Sequence, residues 1–266
     1  MDVTFLLQLI INGLVVGSIY ALVATGFVII YKATSALNLA QGEFLMVGAY
    51  LCLNLLSKYQ IPFWQAILIT FLFSAILGVI IERLILRPLI GSHQISVIMV
   101  TLGLSSILKA LIQLAYGTDT IPFPEVFPSA PVQIGPIPVS QGYLYAIGCV
   151  TILVVILTAF FKYSKTGVAM RATASSQQVA LSMGISVKKM FAISWAIAAI
   201  VSSVGGVLLG TIRGGIDMSL SFMGLKVLPV VILGGLDSIL GAIVGGIIIG
   251  VLENLSGGFI DPLVGG

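Results

Sequence analysis

The sequence predicts an all-α, polytopic transmembrane helical bundle, and three observations carry that prediction. Hydrophobic residues make up 59% of the chain and charged residues only 8%, against about 25% charge in a soluble domain. The mean hydropathy is +1.19. Apolar runs near the roughly 20 residues needed to cross hydrocarbon recur along the whole chain, so residues 1–266 read as a single transmembrane domain. These features exclude a soluble enzyme. The net charge of +3 is scattered along the chain, which argues against a nucleic-acid partner.

Eight hydrophobic segments are predicted, at residues 5–31, 37–57, 63–86, 94–115, 142–161, 190–210, 222–236 and 239–256. The first follows a start without a basic region, and no small-residue cleavage site follows it, so it reads as a spanning helix of the mature chain. Cys52 and Cys149 sit inside apolar runs and read as small buried residues, with neither a disulfide nor a metal site indicated. Lys109 lies in the fourth segment, six residues from the expected outer end. At about 9 Å of depth it reads as snorkelling to the interface rather than as a substrate-binding lysine. The seventh segment is short and contains Lys226, Pro229 and the Gly234, Gly235 pair. It fits a discontinuous helix at a transport site or, equally, an ordinary helix with a proline kink.

Two connections are long. Residues 116–141 hold six of the ten prolines, and residues 162–189 carry Lys162, Lys165, Arg171, Lys188 and Lys189 with no acid. The positive-inside rule puts the second in the cytoplasm. Alternation then places Lys32, Arg83 and Arg87 inside, and the Pro-rich loop, Lys58, Arg213 and the N-terminus outside. Within the cytoplasmic loop, Ala172, Val179, Ala180 and Met183 recur at helical spacings and predict one short amphipathic helix. Gly184 is placed to cap it in the left-handed conformation. Such a helix fits a groove on a soluble partner or lies on anionic lipid.

Close helix packing is expected from glycines four residues apart: Gly13 and Gly17, Gly206 and Gly210, Gly241 and Gly245, Gly246 and Gly250. The spacing does not say which helices touch.

The most informative stretch runs from Asn38 to Tyr50. It sets Asn38, Gln41 and Glu43 at the opening of an apolar segment. Ionisable groups at membrane depth cost roughly 2.5–3.5 kcal/mol on insertion scales, so they face a protein interior or an aqueous path. The alternative is an interfacial helix start capped by Asn38, with Glu43 on the favourable end of the helix dipole. Arg213 and Asp217 flank Gly214 and Gly215 in an external loop, where they pair locally or shape an outer gate. The breaks after helices 1 and 6 fall on opposite membrane sides, as an inverted repeat requires.

No G-x-x-x-x-G-K-[ST] phosphate loop occurs, so energy for any pumping comes from elsewhere. His93 is the only histidine and reads as a surface loop residue. No nucleophile with a base in reach is evident, so no catalytic residue is assigned.

Several blocks together resemble a family. The Asn38–Tyr50 stretch is similar to the Asn-Phe-Ala-His-Gly-Glu-Phe type signature of LivH-type branched-chain amino acid ABC transporter permeases. Further matches are Asn12 to Leu22, Arg171 with Ala172, Ala180 to Ile185, Val231 to Gly235, and Gly241 with Ala242. The resemblance runs from about Leu9 to Glu253. It implies a permease subunit in a bacterial inner membrane, paired with a homologous LivM-like permease. Two nucleotide-binding ATPase subunits would lie below and a soluble substrate-binding protein above. No cofactor is implied on this chain, ATP being used by the partner subunits. Ala180 and Gly184, with Arg171 nearby, carry over to the coupling loop that docks on the ATPase; Asn38, Gln41, Glu43, Arg213 and Asp217 are the candidate pathway residues. Gln178 stands where importers often have Glu, and Gln41 where many relatives have His. Relatives continue past residue 266, which leads to the expectation that a final C-terminal helix is missing. The family imports leucine, isoleucine and valine, while close relatives handle urea, amides and aromatic acids; this chain does not discriminate among them. The runner-up is an autonomous channel or secondary transporter for a small polar solute.

Overall fold

The computed structural model describes residues 3–259 apart from 36, 129, 135 and 136. Each predicted segment is a helix. They are α1 (Val3–Thr34), α2 (Gln41–Ser57), α3 (Phe63–Ile81), α4 (Gln94–Tyr116), α5 (Gln141–Tyr163), α8 (Val187–Arg213), α9 (Met223–Gly234) and α10 (Ile239–Phe259). Between α5 and α8 lie two further short helices, α6 (Lys165–Ser175) and α7 (Gln177–Ser182). Helix α3 runs on through a π-helical turn, Glu82–Leu86, and a 3-10 turn, Arg87–Leu89. There the buried Glu82 carboxylate receives Arg87 at 2.9 and 3.2 Å.

Six of these helices are long and apolar enough to cross a membrane: α1, α3 with its extension, α4, α5, α8 and α10. Helix α2, with 17 residues, and α9, with 12, are shorter. The eight predicted segments are therefore six full spans and two shorter helices, α9 the shortest. The chain is a multi-pass membrane protein.

Helix α8 forms the axis, packed on α1, α2 and α3. Its buried face carries Ser194, Ala198, Ser202, Ser203, Gly206 and Gly210, small side chains that let backbones approach. A Cβ on Gly206 would fall on the Leu45 carbonyl, and one on Gly48 would fall on Ser203. Helices α1 and α10 form the most extensive pair. Gly13 and Gly17 of α1 lie against the backbone of Gly246, Gly250 and Val251 in α10. The glycine spacings thus mark real crossings, and the structure supplies the partners. Around this centre, α3, α4 and α5 turn Leu68, Leu72, Ile107, Leu114, Ile152 and Val155 outward.

Two small sheets qualify the all-α reading. Strand β1 (Ile121–Pro122) pairs antiparallel with β4 (Gly215–Ile216), and β2 (Pro131–Ile134) pairs with β3 (Ile137–Ser140). The Pro-rich connection is thereby pinned to the end of α8, with Phe123 buried against Gly210 and Ile216.

The single amphipathic helix expected in the basic loop is instead two. Ser176 is extended (φ −159°, ψ 114°), and its side chain accepts the Val179 N–H, ending α6 and starting α7. Ala180 is buried, while Val179 and Met183, four residues apart, are exposed. The expectation of a missing C-terminal helix concerns chain beyond 259, outside the described residues.

Candidate functional site

The first break begins where α1 ends. Ser35 takes a left-handed conformation (φ 54°), its N–H bonding the Tyr31 carbonyl at 2.7 Å. The Gln94 side chain at the start of α4 donates to the Ser35 carbonyl at 2.7 Å. The chain then turns back into the bundle, and Leu39 N–H donates to Thr101 Oγ1 at 3.3 Å. Seven residues along α4 correspond to about 10 Å of depth. Asn38 Oδ1 accepts from Ala40 N–H at 3.0 Å, and Asn38 Nδ2 donates to Gln41 Oε1 at 2.9 Å. Gln41 Nε2 in turn donates to Ser202 Oγ at 2.6 Å, near the middle of α8. Asn38 and Gln41 are both buried and satisfied. The interfacial-cap reading of Asn38 is therefore overturned: residue 40 is the N-cap, and it caps with no side chain.

The second break comes from the opposite end. Helix α8 stops at Gly214 (φ 68°), and β4 pairs with β1 beyond the far end of α4. Asp217 Oδ1 then accepts from Ser219 N–H at 2.9 Å and opens a 3-10 turn, Met218–Phe222, that leads into α9. The two short helices meet at their N-termini. A Cβ on Gly42 would fall on the Ser221 carbonyl, and one on Gly224 would fall on the Gly42 amide. Both positive helix ends thus converge at the bundle centre, as discontinuous helices do around a transport site.

From this junction one face of α2 looks toward α4. Glu43 is 4% exposed, and its Oε2 has no hydrogen-bond partner among the described residues. Ser105 and Lys109 of α4 are its polar neighbours. Two turns further along, Tyr50 is also buried, and its hydroxyl has no partner among the described residues. Its ring lies 4.8 Å from that of Tyr116, whose hydroxyl accepts from Asn54 Nδ2 at 3.1 Å. Lys109 Nζ sits 4.4 Å over the Phe222 ring, a cation–π contact that the second break provides by bringing that aromatic face beside α4.

Of the five predicted pathway residues, Asn38 and Gln41 are bonded, Glu43 opens the α2–α4 seam, and Asp217 stands near its other end. Arg213 goes elsewhere. It makes no ion pair with Asp217 and lines a cleft with Tyr20 and Glu253. Sequence reasoning missed Tyr50 and Ser202. The spacing of seven residues between Glu43 and Tyr50 was a usable signal; nothing in the sequence marks Ser202 among the many small residues of α8.

At the basic end, Arg171 is exposed and reaches the Lys162 carbonyl at 3.5 Å. Ala180 is 1% exposed, and its carbonyl accepts the Ile185 N–H at 2.9 Å. Gly184 has φ 77°, the predicted left-handed cap. Val179, Leu181 and Met183 stand exposed around this anchored turn.

Six long spans around two shorter helices that meet at the centre define a membrane transport protein. The chain belongs to the family of branched-chain amino acid transport system permease components, whose profile matches residues 9–262. It is 31% identical to the high-affinity branched-chain amino acid transport system permease protein LivH of Salmonella typhimurium over 272 residues, covering 97% of this chain and 88% of that protein. It is 31% identical to the corresponding protein BraD of Pseudomonas aeruginosa, with 93% and 85% covered. A probable LivH of Methanocaldococcus jannaschii is 28% identical, with 93% and 80% covered. No solved structure matches the chain.

Proposed function

We propose that this chain is the membrane permease subunit of an ATP-driven importer for branched-chain amino acids or related small polar solutes, working in a bacterial inner membrane. In this reading it pairs with a LivM-like permease, two ATPase subunits and a soluble binding protein, and itself holds no cofactor. The observation that carries the ATP-driven part is the α7 turn. A buried Ala180 and a left-handed Gly184 hold it rigid, while Val179, Leu181 and Met183 stand free for a partner. Exposed apolar residues on a fixed helical turn suit a groove on a soluble protein.

The binding protein docks at the end that carries the Pro-rich connection, and ATP binding is felt at α7. Both bias a two-state bundle. Asn38 and Gln41 tie α2 to α8, so a movement of α8 carries the junction with it. Glu43, Asp217 and Arg213 offer charge to the passing solute, and Arg171 supports the coupling loop.

The test is co-purification in mild detergent of wild type and Gly184→Arg. The expected result is an ATPase and a second permease with wild type, and loss of the ATPase with the variant. A chain that purifies alone while still moving solute in vesicles is an autonomous channel or secondary transporter, and this reading fails.

A further inference from the structure

Helices α3 and α5 each pack on α8 and make no extensive contact with each other. Between them lies an apolar cavity of about 570 Å³. Its floor is Val204, Val207 and Leu208 of α8, all buried. On one wall Gly148 of α5 leaves open space where a side chain would stand. On the other wall the Thr70 hydroxyl donates to the Ala66 carbonyl at 2.8 Å, so it has no proton to offer an occupant. Toward mid-membrane the cavity ends where the next turn locks α3 to α8 through Ser74 and Ser203, 2.6 Å apart. At the other end Phe127 of the Pro-rich connection roofs it, stacked on Tyr145 at 4.7 Å and edge-on to Phe63 at 5.6 Å.

The roof bars entry from water, and a cavity without polar partners holds no ordered water. Its open side lies between Leu68 of α3 and Ile152 of α5, on the exposed faces of two membrane spans. The cavity is therefore continuous with the hydrocarbon. Trp64 and Tyr145, near the starts of the two helices, stand at the level where aromatic side chains meet lipid headgroups. A partner's transmembrane helix does not fit inside. Phe63 and Phe71 are about 12 Å apart along α3, and a helix some 10 Å across over that height occupies roughly 900 Å³. The walls also carry bulky side chains such as Phe71 and Leu153, where paired membrane helices use small ones. A single flexible hydrocarbon chain meets both limits.

We propose that this cavity binds one acyl chain of a phospholipid from the leaflet on the side of the Pro-rich connection. The chain enters sideways between Leu68 and Ile152, lies on Val204, Val207 and Leu208, and stops at the Ser74 and Ser203 contact, with Phe127 over it. It fills the gap that separates α3 from α5. It thereby steadies the part of α8 whose Ser203 also donates to the Phe44 carbonyl of α2 at 3.2 Å. The inference needs only a membrane-spanning bundle and stands independently of the importer reading.

The test uses the full chain, purified from its own membrane with the partners that accompany it and placed in nanodiscs. The probe is a phosphatidylethanolamine with a diazirine at the middle of one acyl chain. After photolysis and peptide mapping, Val204, Val207 and Leu208 are expected to carry adducts within threefold of the outward-facing Leu72 and Val155. Gly148→Phe fills the cavity and is expected to lower the floor adducts at least fivefold, with those on Leu72 and Val155 unchanged. Phe127→Ala, which opens the roof without altering a wall, is expected to release the lipid at least fivefold faster on transfer to a delipidating detergent, followed by native mass spectrometry. The wild-type map does not depend on either variant folding. An unlabelled floor in wild type overturns the proposal, and a crosslink from Gly148→Cys to a second membrane chain would then identify protein as the occupant. Floor labelling that Gly148→Phe leaves unchanged, or a lipid released no faster from Phe127→Ala, overturns it as well.

Discussion

Gln41 holds the centre by bonding Asn38 on one side and Ser202, 161 residues away, on the other. Gln41→Leu removes both bonds and leaves two polar groups buried without partners, at about 1–3 kcal/mol each. The expected outcome is a clear fall in thermal midpoint in detergent. Gly42→Ala acts by a different route, driving a methyl into the Ser221 carbonyl at the helix junction. Overpacking of this kind costs about 1–3 kcal/mol, so a lower midpoint is again expected, together with loss of uptake. Glu43→Gln should separate stability from transport. It keeps the shape and removes a buried ionisable group, so the midpoint stays at or above wild type while uptake falls at least tenfold. A variant that transports normally removes Glu43 from the pathway. Asn38, Gln41 and Glu43 were legible because each is a polar interruption of an apolar run. Ser202 and Tyr50 were not, since a serine or tyrosine in a membrane helix draws no notice until its neighbours are known.

Among the elements, the short helices α2, α7 and α9 decide most of what the molecule can do. Val179→Asp and Leu181→Asp alter exposed positions on α7, so the thermal midpoint should hold while the ATPase no longer co-purifies. If it still co-purifies with both changes in one chain, α7 is not the docking element. The sequence pattern predicted one helix here because spacing alone cannot register a serine that caps a second start. Ser176 offers its hydroxyl to Val179 N–H, and that local bond competes with helix continuation. For α9, shortness and the glycine pair left a discontinuous and a kinked helix equally open. The close meeting of Gly224 with Gly42 selects the first. Neither glycine is marked in the sequence as the other's partner.

At the scale of the molecule, sidedness follows from charge. Residues 162–189 carry basic side chains without acid, and the positive-inside rule predicts them in the cytoplasm. In a Cys149→Ser background, Thr118→Cys should react with an impermeant maleimide in intact cells. Ser182→Cys should react only after permeabilisation; the reverse pattern inverts the topology. By itself the sequence determined that this is a helical membrane protein, where its spans lie, and which family blocks it carries. Those are local properties: in hydrocarbon each segment satisfies its own backbone hydrogen bonds as a helix, so a run of apolar residues is enough to announce one. Only the tertiary structure decided that α2 and α9 join N-terminus to N-terminus. It alone separated Arg213 from Asp217 and tied Tyr20 to Glu253 across 233 residues. Contacts of that kind depend on which faces of distant helices meet, and that choice is made by the close packing of the whole bundle.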